Sequence, residues 1–161
     1  MRNKLLVLGL LVFVLLLGYF WYNSHHSNHV GDASLYPDPM LTPGDVIAGV
    51  TAADVCTPYY TQRVRSVSES ERDQVYRNYK TANVSKQHEL DHFISLELGG
   101  SNSPSNLWPE PYEPRPGAHE KDRVENYLHR QVCNGRMTLQ EAQRAIATDW
   151  YAIYLTLPAK R

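Results

Sequence analysis

The chain of 161 residues has no excess of positive charge. It carries 16 Lys and Arg against 17 Asp and Glu, for a net charge of −1. Proteins that bind nucleic acid without sequence preference are usually basic. The net charge therefore gives no support for a general attraction to polyanions, and a contact with nucleic acid must come from local basic patches. The length allows one ordinary domain and an accessory segment.

Long apolar runs are also scarce, and the prominent one lies at the start of the chain. Leu5 to Tyr22 is apolar apart from glycines and tyrosine hydroxyls, and Arg2 and Lys4 precede it. No small-x-small cleavage site follows, and residues 20–22 are aromatic, as at a membrane interface. The pattern predicts an uncleaved signal anchor over residues 1–22, with a cleaved signal peptide as the alternative.

The rest of the chain is then expected outside the cytoplasmic membrane, in a periplasmic or extracellular location, either anchored or secreted. Residues 23–45 are rich in Asn, Ser, His, Pro, Gly and Asp, which predicts a linker. Residues 46–161 are predicted to form the folded domain. Without Arg2 and Lys4 the exported part has 14 basic against 17 acidic residues.

Cysteine is nearly absent, since Cys56 and Cys133 are the only two. In an exported chain, two cysteines most economically form one disulfide. Such a bond would close a loop of most of the domain and stabilise it by about 4 kcal/mol on the chain-entropy estimate. The alternative, two buried free thiols, fits poorly with export.

Three helices are predicted from capping signals and apolar spacing. Ser68 and Glu71 have the capping-box spacing, and the helix they begin extends to about Lys80. A second helix begins near Ala118 and ends at Asn134-Gly135. Thr138 and Glu141 form another capping box at the start of a last helix.

The central stretch runs from His88 to Trp108 and reads HELDHFISLELGGSNSPSNLW. β-prone residues continue to Leu98, and Gly99-Gly100 then favours a chain reversal. The stretch predicts two short strands joined by a loop, with Asp91, His92 and Asn106 as its polar centre. An isolated Asp-His pair is most often a surface turn. Histidine is nevertheless the side chain best suited to accept a proton near neutral pH.

The pattern DH, an apolar stretch, GG and then Asn-Leu-Trp-Pro resembles the core of the His-Asn-His (HNH) endonucleases, the ββα-metal or His-Me finger group. The flanking run NLWPEPYEPRPGAHEKDRVENYLHRQVCNG and the later AQRAIATDW resemble exported, single-domain bacterial proteins of HNH type. The resemblance extends from about Leu35 to Tyr154. One departure is the lack of the two CxxC pairs that bind structural zinc in many HNH nucleases.

The resemblance implies an α+β fold, a small ββα-metal finger packed with flanking α-helices. It implies His92 as general base, Asn106 as the residue that holds the loop carrying the base, and Asp91 as a metal ligand. His119, in the first turn of the helix near Ala118, is the candidate for the last metal ligand. The implied cofactor is a divalent ion, Mg²⁺ first, with Mn²⁺ or Zn²⁺ as alternatives.

The implied activity is metal-dependent endonucleolytic hydrolysis of DNA, or of RNA, outside the cytoplasmic membrane. Lys121, Arg63 and Arg65 are the candidate phosphate-binding residues, against the alternative that such charges only solvate helices. The alternative function is that of a non-catalytic, membrane-anchored envelope protein that uses the HNH-like scaffold for binding. The oligomeric state is left open.

Overall fold

The computed structural model describes residues 35–82 and 86–159. The predicted anchor over residues 1–22 and most of the predicted linker lie outside these ranges. Within them, no helix combines the length and the apolar character needed to cross a bilayer. The described residues belong to one compact unit.

The described chain is a small α+β domain, so the predicted fold class is confirmed. Three helices precede a two-stranded sheet: α1 (Ala52–Val55), α2 (Tyr60–Val64) and α3 (Glu69–Asn78). Strands β1 (His88–His92) and β2 (Leu107–Pro111) follow, and α4 (Ala118–Cys133) and α5 (Leu139–Thr156) complete the domain.

The capping boxes fix where two of the predicted helices begin. The Ser68 side chain accepts from the Glu71 backbone N–H, and the Glu71 carboxylate accepts from the Ser68 backbone N–H. Thr138 and Glu141 make the same reciprocal pair at the start of α5. These helices and α4 occupy the predicted segments, and all three predictions are confirmed.

The two strands pair antiparallel, with Asp91 opposite Trp108 and His92 opposite Leu107. The prediction that strand structure continues from Asp91 towards Leu98 is wrong. β1 ends at His92, and Leu96–Leu98 form a single 3₁₀ turn. Asn106 accounts for the change, because it hydrogen-bonds the chain at Phe93 and Ile94 and turns it away from the sheet.

Gly100 allows this loop to close tightly. A Cβ atom at position 100 would lie 1.7 Å from the Ile94 carbonyl oxygen and 2.8 Å from the Asn106 side-chain nitrogen. No side chain fits there without moving the backbone. The chain before α1 pairs with the same loop, through a bridge between Val46 and Gly100.

The apolar core lies between α4, α5 and the loop that follows β1. Its fully buried members include Leu98, Val124, Leu128, Ile146 and Trp150. The two ends of α4 are fixed in different ways. Near its N-terminus, Lys121 forms ion pairs with residues of both strands, and at its C-terminus Cys133 is covalently bound.

That covalent link joins Cys133, the last residue of α4, to Cys56, which caps the end of α1. The two Cα atoms lie 5.6 Å apart, within the range that a disulfide spans. The predicted pairing is confirmed, and among the described residues no cysteine is free.

Candidate functional site

The site is built where β1 ends, because Asp91 and His92 are its last two residues. Adjacent strand side chains point to opposite faces. The Asp91 carboxylate lies on the side of α4, where its Oδ2 is 2.6 Å from Lys121 Nζ. His92 instead lines a cavity together with the segment that leads into α3.

The tautomer of His92 follows from its one side-chain partner. Its Nε2 lies 3.1 Å from Asn102 Oδ1. Asn102 is oriented by the backbone, because its Nδ2 donates to the Val64 carbonyl and its Oδ1 accepts from the Ser66 N–H. Oδ1 is therefore an acceptor, and Nε2 of His92 must carry the hydrogen.

The other ring nitrogen of His92 is left with a free lone pair. The side chain is 2% exposed, and Nδ1 is buried with no hydrogen-bond partner. Burial lowers the pKa of His92, against the opposing effects of the Asp91 charge and the Asn102 hydrogen bond. The imidazole is thus neutral near pH 7. A buried acceptor without a partner costs about 1–3 kcal/mol, so its retention needs a reason.

Asn106 holds the loop that begins directly after His92. Its Oδ1 accepts from the Ile94 N–H, and its Nδ2 donates to the carbonyls of Ile94 and Ser101. Its own carbonyl accepts from the Phe93 N–H. The amide is fully buried. It closes residues 93–101 into one loop and so fixes the backbone on the C-terminal side of His92.

Lys121 is the centre of a buried ionic cluster between the sheet and α4. Its side chain is 1% exposed, and its Nζ donates to Asp91 and Glu125 and, over 3.0 Å, to the His92 carbonyl. A third carboxylate oxygen, from Glu110, lies 3.3 Å away. We refer to Asp91, Glu110, Glu125 and Lys121 as the ammonium cluster.

The charges of the ammonium cluster are uneven. Burial alone would raise the pKa of Asp91, but the Lys121 ammonium outweighs it and lowers that pKa to about 2. Burial raises the pKa of Glu125 to about 7 and that of Glu110 well above its usual value. Three carboxylates therefore share one ammonium; Asp91 is fully ionised at neutral pH, and Glu125 is ionised in part.

This arrangement differs from the expectation that Lys121 contacts phosphate. An ammonium with this set of oxygen partners and 1% exposure has no donor facing solvent. Lys121 instead fastens α4 to the end of β1. It holds both the Asp91 side chain and the His92 main chain.

His119, the expected last metal ligand, is exposed in the first turn of α4. Its ring packs against Tyr112, with ring centroids 5.0 Å apart. The Asp91 oxygen nearest α4 is already bound to Lys121. The structure therefore does not bring Asp91 and His119 into a preformed group of three or more ligands.

Among the residues that the structure describes, one such group exists elsewhere. Cys56, His129 and Cys133 have ligand atoms within 4.8 Å of one another, which could hold a metal ion. The two sulfurs are joined in the disulfide and are not thiolates, so they are not metal ligands in this state. His129 Nε2 is 3.0 Å from the Val55 carbonyl, which it reaches beside that bond.

The cavity beside His92 measures about 430 Å³ and lies between β1 and the start of α3. Two arginines, Arg65 and Arg72, line it together with His92. Its other lining residues are Ser66, Val67, Ser68, Glu71 and Leu90. Arg63, the remaining phosphate candidate, lines a different cavity of about 310 Å³ and donates to the Pro58 carbonyl.

Several residues of the site were not predicted. Asn102 follows the Gly99-Gly100 turn, and nothing in the sequence shows that it reaches a histidine ten positions earlier. Glu125 stands four residues after Lys121 on one helix, which is a recognisable ion-pair spacing. Glu110 has no such signal, because its burial depends on the packing of α4.

Comparison with family models, with curated proteins and with solved structures finds no match for this chain.

Proposed function

We propose that this protein hydrolyses phosphodiester bonds of nucleic acid, DNA first, with His92 as general base, in the manner of an HNH endonuclease. The observation that carries the proposal is the state of His92. Its ring is neutral, its tautomer is set by Asn102, and its Nδ1 lone pair has no partner in the protein. A water molecule bound for attack is the partner that would satisfy this nitrogen once the groups that cover Nδ1 move aside.

The order of elements supports the same proposal. Two antiparallel strands are followed by a helix that ion pairs join to both, and the Asp-His pair lies at the end of the first strand. Asn106, the residue before the second strand, holds the loop after His92. This is the role that the resemblance assigns to it.

In the proposed reaction, His92 Nδ1 takes a proton from water as the water oxygen forms a bond to phosphorus. The ester bond to the leaving oxygen breaks, and that oxygen takes a proton from solvent. The products are a phosphomonoester and an alcohol, and the imidazolium then releases its proton. Arg65 and Arg72 share the cavity with His92 and would balance the phosphate charge in this reaction.

The metal implied by the resemblance, Mg²⁺ held by Asp91 and His119, fits this arrangement poorly. The oxygen donors that gather near Asp91 are of the type that Mg²⁺ prefers, but the Lys121 ammonium already lies among them. The proposed reaction therefore has no step at a metal ion.

The proposed location is outside the cytoplasmic membrane, anchored by residues 1–22. The Cys56–Cys133 disulfide supports an oxidising compartment. The nucleic acid substrate in that location would be extracellular or periplasmic. Because the net charge is −1, binding would depend on the Arg65–Arg72 side of the domain.

The test is incubation of the purified full-length chain with supercoiled plasmid, with Mg²⁺, Mn²⁺ or Zn²⁺ and with EDTA. His92→Gln is the matched variant, because its amide nitrogen can still donate to Asn102 but cannot act as a base. We expect cleavage by the parent and a 10²–10⁴-fold lower rate for His92→Gln. Equal rates for the two proteins would refute the assignment of His92. DNA binding without cleavage in every buffer would favour the binding-scaffold alternative.

A further inference from the structure

The ammonium cluster contains the features of a divalent-cation site with a lysine in place of the ion. Four oxygen atoms face Lys121 Nζ: one each from Asp91, Glu110 and Glu125, and the His92 carbonyl oxygen. Carboxylates and backbone carbonyls are the usual ligands of Mg²⁺ and Ca²⁺. The cluster lies between the two-stranded sheet and α4, at the end of the strand that carries His92.

Lys121 does more than neutralise charge. Asp91 comes from β1, Glu110 from β2, and Glu125 from α4, so one ammonium joins all three elements. Its donation to the His92 carbonyl fixes the main chain of the proposed base directly. A metal ion bound by the same oxygens would make the same connections.

The same oxygens are not expected to hold both the Lys121 ammonium and a divalent ion. Nζ is 2.6 Å from Asp91 and 3.3 Å from Glu110, and a second cation bound to the same oxygens would be repelled at close range in a poorly solvated region. The lysine stem is itself buried, which anchors the ammonium in its position.

We propose that Lys121 is the resident cation of this ββα unit, and that Asp91 therefore holds the base-bearing strand through an ammonium and not through a divalent ion. This inference rests on the proposed function for its consequence in catalysis, namely that cleavage does not require a divalent ion at Asp91. Its structural content can be tested without any activity. Lys121 acts as a positioning residue, since it reaches the site through Asp91 and the His92 main chain.

The test is calorimetric titration of the full-length chain with Mg²⁺ and with Ca²⁺, for the parent, Lys121→Ala and Asp91→Asn. These hard ions are chosen because the linker histidines His25, His26 and His29 offer imidazole nitrogens, which suit transition metals and not Mg²⁺ or Ca²⁺. For the parent, we expect no saturable binding of Mg²⁺ or Ca²⁺ that depends on Asp91, so Asp91→Asn should leave its titration unchanged. Lys121→Ala leaves the four oxygens without their cation, so we expect it to gain saturable Ca²⁺ binding and a Ca²⁺-dependent rise in Tm.

The matched control is Lys121→Ala combined with Glu125→Gln, which should lose the binding that Lys121→Ala gains. If Lys121→Ala folds only with Ca²⁺ present, the inference is supported. A Lys121→Ala chain that is folded, by circular dichroism, and binds no Ca²⁺ would overturn it. Parent binding of Mg²⁺ or Ca²⁺ that Asp91→Asn abolishes would also overturn it, because the ion would then share Asp91 with the lysine.

The plasmid assay separates this inference from the proposed function. Cleavage that persists in EDTA supports both. If EDTA abolishes cleavage and Mg²⁺ restores it, the nuclease proposal stands. The inference that the Lys121 ammonium suffices for cleavage without a divalent ion is then overturned. Absence of cleavage in all buffers refutes the nuclease proposal, and the titrations alone then decide whether Lys121 is the resident cation.

Discussion

Asn102 Oδ1 accepts a hydrogen bond from His92 Nε2 over 3.1 Å, and thereby decides which nitrogen of the imidazole is free. Two backbone contacts hold the amide so that the oxygen faces the ring. The residue from the turn after Gly99-Gly100 therefore has the orienting role that a carboxylate or carbonyl commonly has beside a catalytic histidine.

The first prediction uses this contact to shift a pH profile. Burial lowers the pKa of His92, so activity should rise with pH through a midpoint below the unperturbed value of about 6.5. Asn102→Asp places a negative charge against Nε2–H, which stabilises the imidazolium and raises that pKa. The midpoint of kcat against pH should move to higher pH, with activity retained above it.

The control for Asn102→Asp is Asn134→Asp, which adds the same charge at an exposed position after α4. Its midpoint should equal that of the parent. An unchanged midpoint in Asn102→Asp would contradict the role of His92 as the titrating base.

The second prediction concerns the two arginines of the cavity. Arg65→Gln and Arg72→Gln should each weaken binding of DNA and reduce the dependence of log K on log salt by about one phosphate contact. Arg77→Gln is the matched control, because Arg77 is exposed on the same helix as Arg72 but does not line the cavity. Fluorescence anisotropy over a range of NaCl concentrations gives both quantities. Equal losses in all three variants would indicate a general charge effect and no local site.

The third prediction separates the two functions of the Asn106 amide. Asn106→Ala removes four hydrogen bonds and leaves backbone groups of Asp45, Ile94 and Ser101 unpaired, which should lower the free energy of unfolding by at least about 2 kcal/mol. Asn106→Asp should lower the free energy of unfolding further, because a carboxylate oxygen would then face the two carbonyls to which Nδ2 donates. Urea unfolding measures both.

Asn126→Ala is the control for this comparison, since Asn126 is exposed and bonds only within its own helix, to the Asp122 carbonyl. Its stability should change by under about 0.5 kcal/mol. If Asn106→Asp proved as stable as Asn106→Ala, the two donations from Nδ2 to the Ile94 and Ser101 carbonyls would be contradicted.

The fourth prediction concerns the disulfide. Cys56 and Cys133 are 77 positions apart, so their link should contribute about 4 kcal/mol through the unfolded state. A Cys56→Ser, Cys133→Ser double variant should lose about that amount in urea unfolding. Alkylation of unreduced, denatured protein from intact cells should label neither cysteine. Labelling of both in the parent would refute the oxidised state in the cell.

Much of the fold could be predicted because its signals are local. Ser68 with Glu71, and Thr138 with Glu141, each lie within one helical turn, and a capping box acts over that distance. The limit of β1 could not be predicted. Phe93 to Leu98 have strand propensity, but Asn106 and the space at Gly100 are tertiary constraints, and they bend that segment.

The site shows the same division. Asp91, His92 and Asn106 stand in a compact pattern that the sequence displays. The burial of Lys121 does not follow from its neighbours, because its partners on β1 and β2 precede it by 30 and 11 positions. The local sequence does not distinguish a buried lysine at the start of a helix from an exposed one, which is why Lys121 was expected to contact phosphate.

The contact between Trp150 and Leu35 sets a practical limit for recombinant fragments. The Trp150 indole N–H donates to the Leu35 carbonyl over 2.8 Å in the interior, and Leu35 is itself buried. A fragment begun at residue 46, where composition changes, would remove that acceptor and uncover the indole. Expression of the domain should therefore start upstream of Leu35, although the residues there read as a linker.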